Sequence, residues 1–375
     1  MSSDSSTRNE SMANSEHNWS AFRLDAANTG HNRHSAGPTG AAAIAWRRDI
    51  PQGVASSPAV VDGVLYIGGY DFAVHALDAG TGEEIWSFDT DDVVHSTPAV
   101  ADGVVYIGCH DDTLYAIDAD SGKEVWSFDT GDQVVSCPTV VDGTVYAGCF
   151  DHTFYALDAT TGDLEWSFDV GEPVFSSPAV VDGSVYFGGY DGALHALDAA
   201  SGSEVWSYAT DDVVRSSPAV ADGCVYVGSF DNRLYAVDAE TGTRRWAVET
   251  GDRVQSSPAV ADGVVFAGSW DGTVYAVDAD GGDVRWKYDT GSIVVSSPTA
   301  SSTSAITPRR STRSAPRPAR NGGRWTSRTT STPNRQSSME RSTSATGRGP
   351  CSRWRRRPSR DTSRGNSKKL SSTSQ

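Results

Sequence analysis

Five cysteines, eight histidines and 48 carboxylates give this 375-residue chain the raw material for metal binding or nucleophilic catalysis. The spacing argues against both. Cys109, Cys137, Cys149, Cys224 and Cys351 include no adjacent pair and no CxxC. Cys109 and Cys149 occupy a repeat position that Gly69 and Ser229 fill in other copies, so they read as small buried residues rather than metal ligands. Asp71, Asp111, Asp151, Asp191, Asp231 and Asp271 occur once per repeat, too far apart to share an ion, and are expected to cap their own turns. Asp278, Asp280 and Asp283 imitate part of a calcium loop without its full ligand pattern. No Ser/His/Asp set, phosphate-cradling glycine loop or acid–base carboxylate pair stands apart from the repeat. No catalytic residue and no metal ligand is assigned, and no cofactor-binding residue can be named.

What varies between copies is the better guide, because a site needs one copy to differ. The residue before each Ser-Ser-Pro-type strand changes most: Ala55, His95, Val135, Phe175, Arg215, Gln255 and Val295. A second ring is nearly all aromatic: Tyr70, His110, Phe150, Tyr190, Phe230 and Trp270. It offers either a binding surface or packing between repeats.

The elements that carry these residues follow a strict period. Trp46, Trp86, Trp126, Trp166, Trp206, Trp246 and Trp286 are 40 residues apart, as are Pro58 to Pro298. Such a period marks a repeat architecture. In the first unit, SSPAVV, VLYIG, AVHALD and EEIWSF read as short strands. Asp62-Gly63 forms a type I′ hairpin turn between the first two, and Asp78 an Asx-type turn after the third. Four antiparallel strands per repeat make one blade of an all-β propeller. Six blades are complete between Ser56 and Val295, and Ala41–Ile50 and Ser296–Ala300 are expected as orphan strands. The tryptophans are the expected docking pieces between blades, with Thr81-Gly82 and its equivalents admitting the neighbouring backbone. Residues 1–17 read as disordered, 18–300 as the propeller and 301–375 as a basic tail.

Composition bounds the setting. Residues 1–300 hold 13 Lys and Arg against 46 Asp and Glu, a net of −33, whereas 301–375 hold 18 against 2. A surface that acidic repels phosphates, so no nucleic-acid partner is expected. It suits a halophilic, high-salt cytoplasm. The N-terminus shows neither a secretory signal nor a membrane span, so a cytoplasmic location is expected.

The pattern A-x-D-x-x-[TS]-G-x-x-x-W, at Ala76–Trp86, Ala116–Trp126, Ala156–Trp166, Ala196–Trp206 and Ala236–Trp246, resembles the docking motif of pyrroloquinoline-quinone (PQQ) repeat propellers; the sixth copy carries Gly281 instead. Trp19, Phe22, Arg23, Asp25, Asn28 and Gly30 resemble the lead-in of such proteins. A WD-repeat reading fails, because the only Trp-Asp is Trp270-Asp271, in a turn. In the PQQ family the first strand of each blade is innermost. The resemblance therefore implies that His95, Phe175, Arg215 and Gln255 ring one mouth of a channel as candidate ligand contacts. A merely exposed, drifting position would give the same variation. The family contains quinone-dependent alcohol dehydrogenases and cofactor-free scaffolds, one of them in the bacterial outer-membrane assembly machine. The dehydrogenases use adjacent disulfide-bonded cysteines and an asparagine among their calcium ligands. Here no cysteines are adjacent, and Asn232 is the only asparagine in the six units. The resemblance thus implies a non-catalytic scaffold with an unidentified protein partner or small ligand and no cofactor. A dehydrogenase or sensor using PQQ with calcium is the alternative.

After Ala300 the repeat stops and the chain turns Ser/Thr/Arg/Pro-rich. Read one base upstream with GC-rich codons, Ser301–Thr326 permits VVDVGDHAAAVHALGAATGEERWAVD, one letter from the docking motif. The stretch within Gln336–Trp354 permits VVDGTVYVGDGAGTVLAV. The tail reads either as a disordered basic segment that binds acidic partners or, the preferred expectation, as the product of a frameshift. The unshifted chain would add a seventh blade and three strands of an eighth, which the Trp46 strand completes. Resequencing the locus is expected to show usable codons in the shifted frame; a confirmed stop after Gln375 with none would overturn this.

Overall fold

The Asp-Gly pairs fix the first turn of every blade. In the computed structural model, which describes residues 18–31, 42–54 and 56–294, Asp62 and Gly63 take φ of 49° and 82°, the two left-handed conformations of a type I′ turn. They join β1 (Ala59–Val61) to β2 (Val64–Gly68); β3 (Ala73–Asp78) and β4 (Glu84–Asp89) complete an antiparallel sheet in sequence order. The arrangement returns in five more sheets, the last ending at Asp289. Among the described residues all regular elements are strands. The short first strands pack successively on one another and are the innermost. The core lies between sheets: Tyr66, Val74, Ala76 and Val94 of the first pack with Val105, Ile107 and Ile117 of the second.

The fourth strand is built to aim its tryptophan. Ala76 pairs with Trp86 and Leu77 with Glu84, so Ile85 is extra, and the same register shift recurs in all six blades. Such a bulge twists the strand and redirects its side chains. The indole Nε1–H of Trp86 then donates to the Ala119 carbonyl of the next blade at 2.8 Å, and Trp126 to Ala159 at 2.9 Å. Trp46, Trp166, Trp206 and Trp246 repeat the bond. The Tyr66 hydroxyl reaches the same Ala119 carbonyl, occupying its second lone pair. What admits the ring is a glycine. A Cβ on Gly82 would lie 2.5 Å from Trp46, and one on Gly162 would lie 2.7 Å from Trp126. The glycine therefore makes room for the neighbouring indole, not for the neighbouring backbone as expected.

Two further expectations change. Residues 42–50 form no ladder, so Ala41–Ile50 is not a strand over its described length; Trp46 nevertheless fills the first slot, bonded to Ala79 at 2.9 Å. The first strand of the blade spans only Ala59–Val61, because its Ser-Ser-Pro lead is used elsewhere. Proline has no N–H for a ladder, and the serines bind the next blade. Ser136 Oγ–H donates to the Ser176 carbonyl and Ser176 Oγ–H to that of Ser216, while the Cys137 N–H donates to Ser177 Oγ at 3.0 Å. This belt runs around the buried inner strands. Ser296–Ala300 and residues 1–17 and 301–375 lie outside the described residues.

The lead-in segment runs across one end of the inner strands. The N–H groups of Val60, Val100, Val180, Val220 and Val260, one equivalent residue per blade, donate to carbonyls of Trp19, Ser20, Ala26, Ala27 and Thr29. The motif residues explain themselves here. Asn28 Nδ2–H donates to the Pro178 carbonyl at 3.0 Å, and Asp25 receives the Thr29 N–H at 2.8 Å. Arg23 is buried and donates to the carbonyls of Pro258 and Asn28. Gly30 has φ of 64° and faces the Arg23 guanidinium. Burial lowers the pKa of Arg23 to about 10, against the attraction of Asp25, so it stays charged at neutral pH.

The repeated aspartates also do more than cap. Asp151 caps its turn through the Thr153 N–H, takes the Gly131 N–H from the preceding linker, and accepts the Tyr155 hydroxyl at 2.6 Å. In the first and fourth blades histidine replaces that tyrosine. His195 lies between Asp191 at 2.9 Å and Glu204 at 3.2 Å. Burial alone would lower its pKa, but bonds and charge from Asp191 and then Glu204 outweigh it and raise the value above 6.5.

Three outcomes test this framework. Gly162→Ala is expected to cost at least about 2 kcal/mol in denaturant melts, since strain and clash add. Gly143→Ala, equally left-handed but with nothing within 4 Å, is expected to cost only about 1 kcal/mol. Ser177→Ala, which orphans the buried Cys137 N–H, is expected to cost about 1–3 kcal/mol. The His195 ion pairs are fully present below the ordinary histidine pKa and are lost as pH rises through the raised one. The melting temperature of the parent should therefore fall more between about pH 6 and pH 9 than that of His195→Tyr, which substitutes the side chain found in Tyr155 of the third blade.

Candidate functional site

The two varied rings meet at one end of the inner strands. The first ring lies five residues upstream of the plugged valines (His95 against Val100), with the serine belt between them. The second sits on the turn joining the second and third strands, held toward the first by bonds such as His110 N–H to the Val93 carbonyl and Trp270 N–H to that of Arg253. The lead-in segment thus covers the inner strands at the level of the valines, and the two rings lie at the opposite end, the mouth.

Two side-chain groups form there. His95 stands edge-on between Tyr70 and His110, with ring centroids 5.1 and 4.4 Å away. Burial and then the neighbouring His110 push the His95 pKa down to about 4, and burial lowers that of His110. At neutral pH the pair is uncharged. Opposite in character is Arg215, whose guanidinium lies over the Phe175 ring at 3.7 Å. Phe175 in turn contacts Phe150, and Phe150 contacts Tyr190. Burial lowers the Arg215 pKa, yet the group remains a cation. A third group puts Arg253 over Phe230 and Trp270, at 4.9 and 5.4 Å.

The four candidate contacts therefore differ. His95 and Arg215 are half-buried, and His95 Nε2 and Arg215 Nε are themselves shielded from solvent. Phe175 is 3% exposed and serves as the platform beneath Arg215, and Gln255 is 7% exposed. Ala55 and Val295 lie outside the described residues. The aromatic ring makes ring–ring contacts across blades, as between Phe150 and Tyr190 or Phe230 and Trp270. Arg253 was not foreseen; its only signal in the sequence is being one of few cations in an acidic body. Buried polar atoms without a partner gather here. Among the described residues they are Asn28 Oδ1, Thr97 Oγ1 and six at this mouth: His95 Nε2, His110 Nε2, Asp111 Oδ1, Arg215 Nε, Asp231 Oδ1 and Trp270 Nε1.

Among the described residues no three His, Cys, Asp or Glu side chains converge on an ion site. Cys109 and Cys149 are buried, donate to linker carbonyls, and are pushed up to about 12 by burial. Their thiols are inert packing, as the spacing suggests. No helix among the described residues is long and apolar enough to cross a membrane.

The family model described as outer membrane protein assembly factor BamB matches residues 36–149, 110–217 and 191–351. The crystal structure of BamB from Moraxella catarrhalis superposes with a TM-score of 0.59 at 22% identity, over 67% of this chain and 79% of that one. A computationally designed protein, Ika8, gives 0.49 at 19% identity over 65% and 90%. No curated protein matches the chain by sequence. Six bulged, tryptophan-docked blades and family matches over most of the length lead to one assignment: this chain belongs to the family described as outer membrane protein assembly factor BamB.

Proposed function

We propose that the protein is a non-catalytic assembly scaffold that docks a protein partner at the ringed mouth. The observation that carries this reading is the concentration of unpartnered buried polar atoms among exposed and half-buried aromatics at that one end. A buried polar group without a partner costs free energy, and a docking segment that turned these side chains toward itself would supply the missing bonds. Aromatic and arginine side chains are also those that dominate protein interfaces. The family name, given to an assembly factor, supports the same kind of role. The acidic surface and four free buried cysteines suit a reducing, salt-rich cytoplasm.

The scaffold reading extends to the missing ring members. Trp46 fills the first slot from outside the six blades, whereas Trp286 meets no slot among the described residues. That mismatch supports further blades after the sixth in the unshifted gene product.

A photo-crosslinking residue at position 70 or 230, on the aromatic ring and outside the Arg215 seat, is expected to give a discrete protein adduct in the source cell. The same residue at exposed Val205 on the outer strand should not. Equal adducts at both, or none at the mouth, would sink the proposal. Adding PQQ and calcium is expected to give neither a bound-cofactor absorbance nor dye-linked alcohol oxidation; both together would make it an enzyme.

A further inference from the structure

Arg215 is the anomaly of this molecule. The body around it is strongly acidic, with 46 carboxylates in residues 1–300, and several exposed arginines find them. Arg233 pairs with Asp211 at 2.8 Å and Glu249 at 3.6 Å, Arg245 with Asp238 at 2.8 Å, and Arg285 with Asp278 at 2.7 Å. Arg215, more buried than these, has no carboxylate within ion-pair distance among the described residues, and its Nε has no hydrogen-bond partner among them. One guanidinium face is covered by Phe175, and the terminal nitrogens make no hydrogen bond among the described residues.

Desolvating a cation without an anion is unfavourable, and a guanidinium cannot escape by losing its proton. Its planar fork matches a carboxylate in bidentate fashion. The surroundings restrict what carries that carboxylate. Phe150, Phe175 and Tyr190 form an apolar wall beside it. Elsewhere on the mouth, Trp270 Nε1 is a donor only, whereas the neutral His95 and His110 can each donate or accept at Nε2. Mixed donors and acceptors suit a peptide backbone better than a polyanion, which the acidic body would repel.

We infer that Arg215 seats a single carboxylate of the docked protein segment, next to an apolar or aromatic residue of that segment packed on Phe150, Phe175 and Tyr190. The carboxylate is either a C-terminal one or that of an acidic side chain. The inference deepens the scaffold reading and rests on the mouth being its docking face.

Three probes separate the cases on the full chain: N-acetyl-Ala-Phe as free acid, its C-terminal amide, and N-acetyl-Glu-Phe amide, followed by calorimetry. Saturable binding of a carboxylate-bearing peptide is expected, at least tenfold tighter than the plain amide. The free acid would mark a terminus and the glutamyl amide a side chain. Arg215→Gln should erase the tenfold preference, and Arg215→Lys should recover only part of it, with thermal melts reporting that both fold. Phe175→Leu, which keeps the charge, should weaken all three peptides together. Equal binding of acid, glutamyl amide and plain amide, a preference that survives Arg215→Gln in a folded protein, or no saturable binding would overturn the inference. If position-70 crosslinks to a protein persist under any of those results, only the carboxylate fails and the scaffold reading stands.

Discussion

The whole molecule depends on an indole held over a glycine in the next blade. The bond from Trp126 Nε1–H to the Ala159 carbonyl contributes direction, and the burial of the ring contributes most of the energy. The two are inseparable, because the ring reaches that carbonyl only across Gly162, where any Cβ would intrude. One four-stranded sheet cannot bury both faces, so each blade owes its stability to this contact with the next. The bulge before the tryptophan and the Tyr146-type hydroxyls sharing the carbonyls are accessories to it.

At the centre a different constraint applies. The inner strands are short and crowded, and their polar groups need partners away from water. Two devices supply them: the serine belt, passing hydrogen bonds from blade to blade, and the lead-in segment, whose carbonyls take one valine N–H from each of five blades. With those groups satisfied, the unsatisfied ones at the opposite mouth stand out. The contrast between a sealed end and an end with free bonding capacity is what gives the mouth its functional interest.

Much of this was legible in the residues. Asp62-Gly63 announces its turn because only residues tolerant of positive φ occupy it. VLYIG and AVHALD give strand bounds that match β2 and β3, since alternating apolar residues between turn signals leave little freedom. The inertness of Cys109 and Cys149 follows from their exchange with Gly69 and Ser229. The serines misled, because Ser-Ser-Pro resembles the start of a strand, and a hydrogen bond spanning 40 residues leaves no local trace. Ala41–Ile50 misled for the converse reason: its apolar run has strand character, but a strand also needs a partner edge.

By itself the sequence determined the period, the turns, the blade and the docking residues, because each repeats and each rests on local geometry. It also marked the positions free to differ. Only the tertiary structure decided what those positions are for. Phe175 and Arg215 are 40 residues apart and nothing in either predicts the other, yet adjacent blades stack one on the other at 3.7 Å. The same assembly left Arg215 without an anion among the described residues of an acidic protein. Burial, partnership and its absence are properties of space between blades, and no single blade contains them.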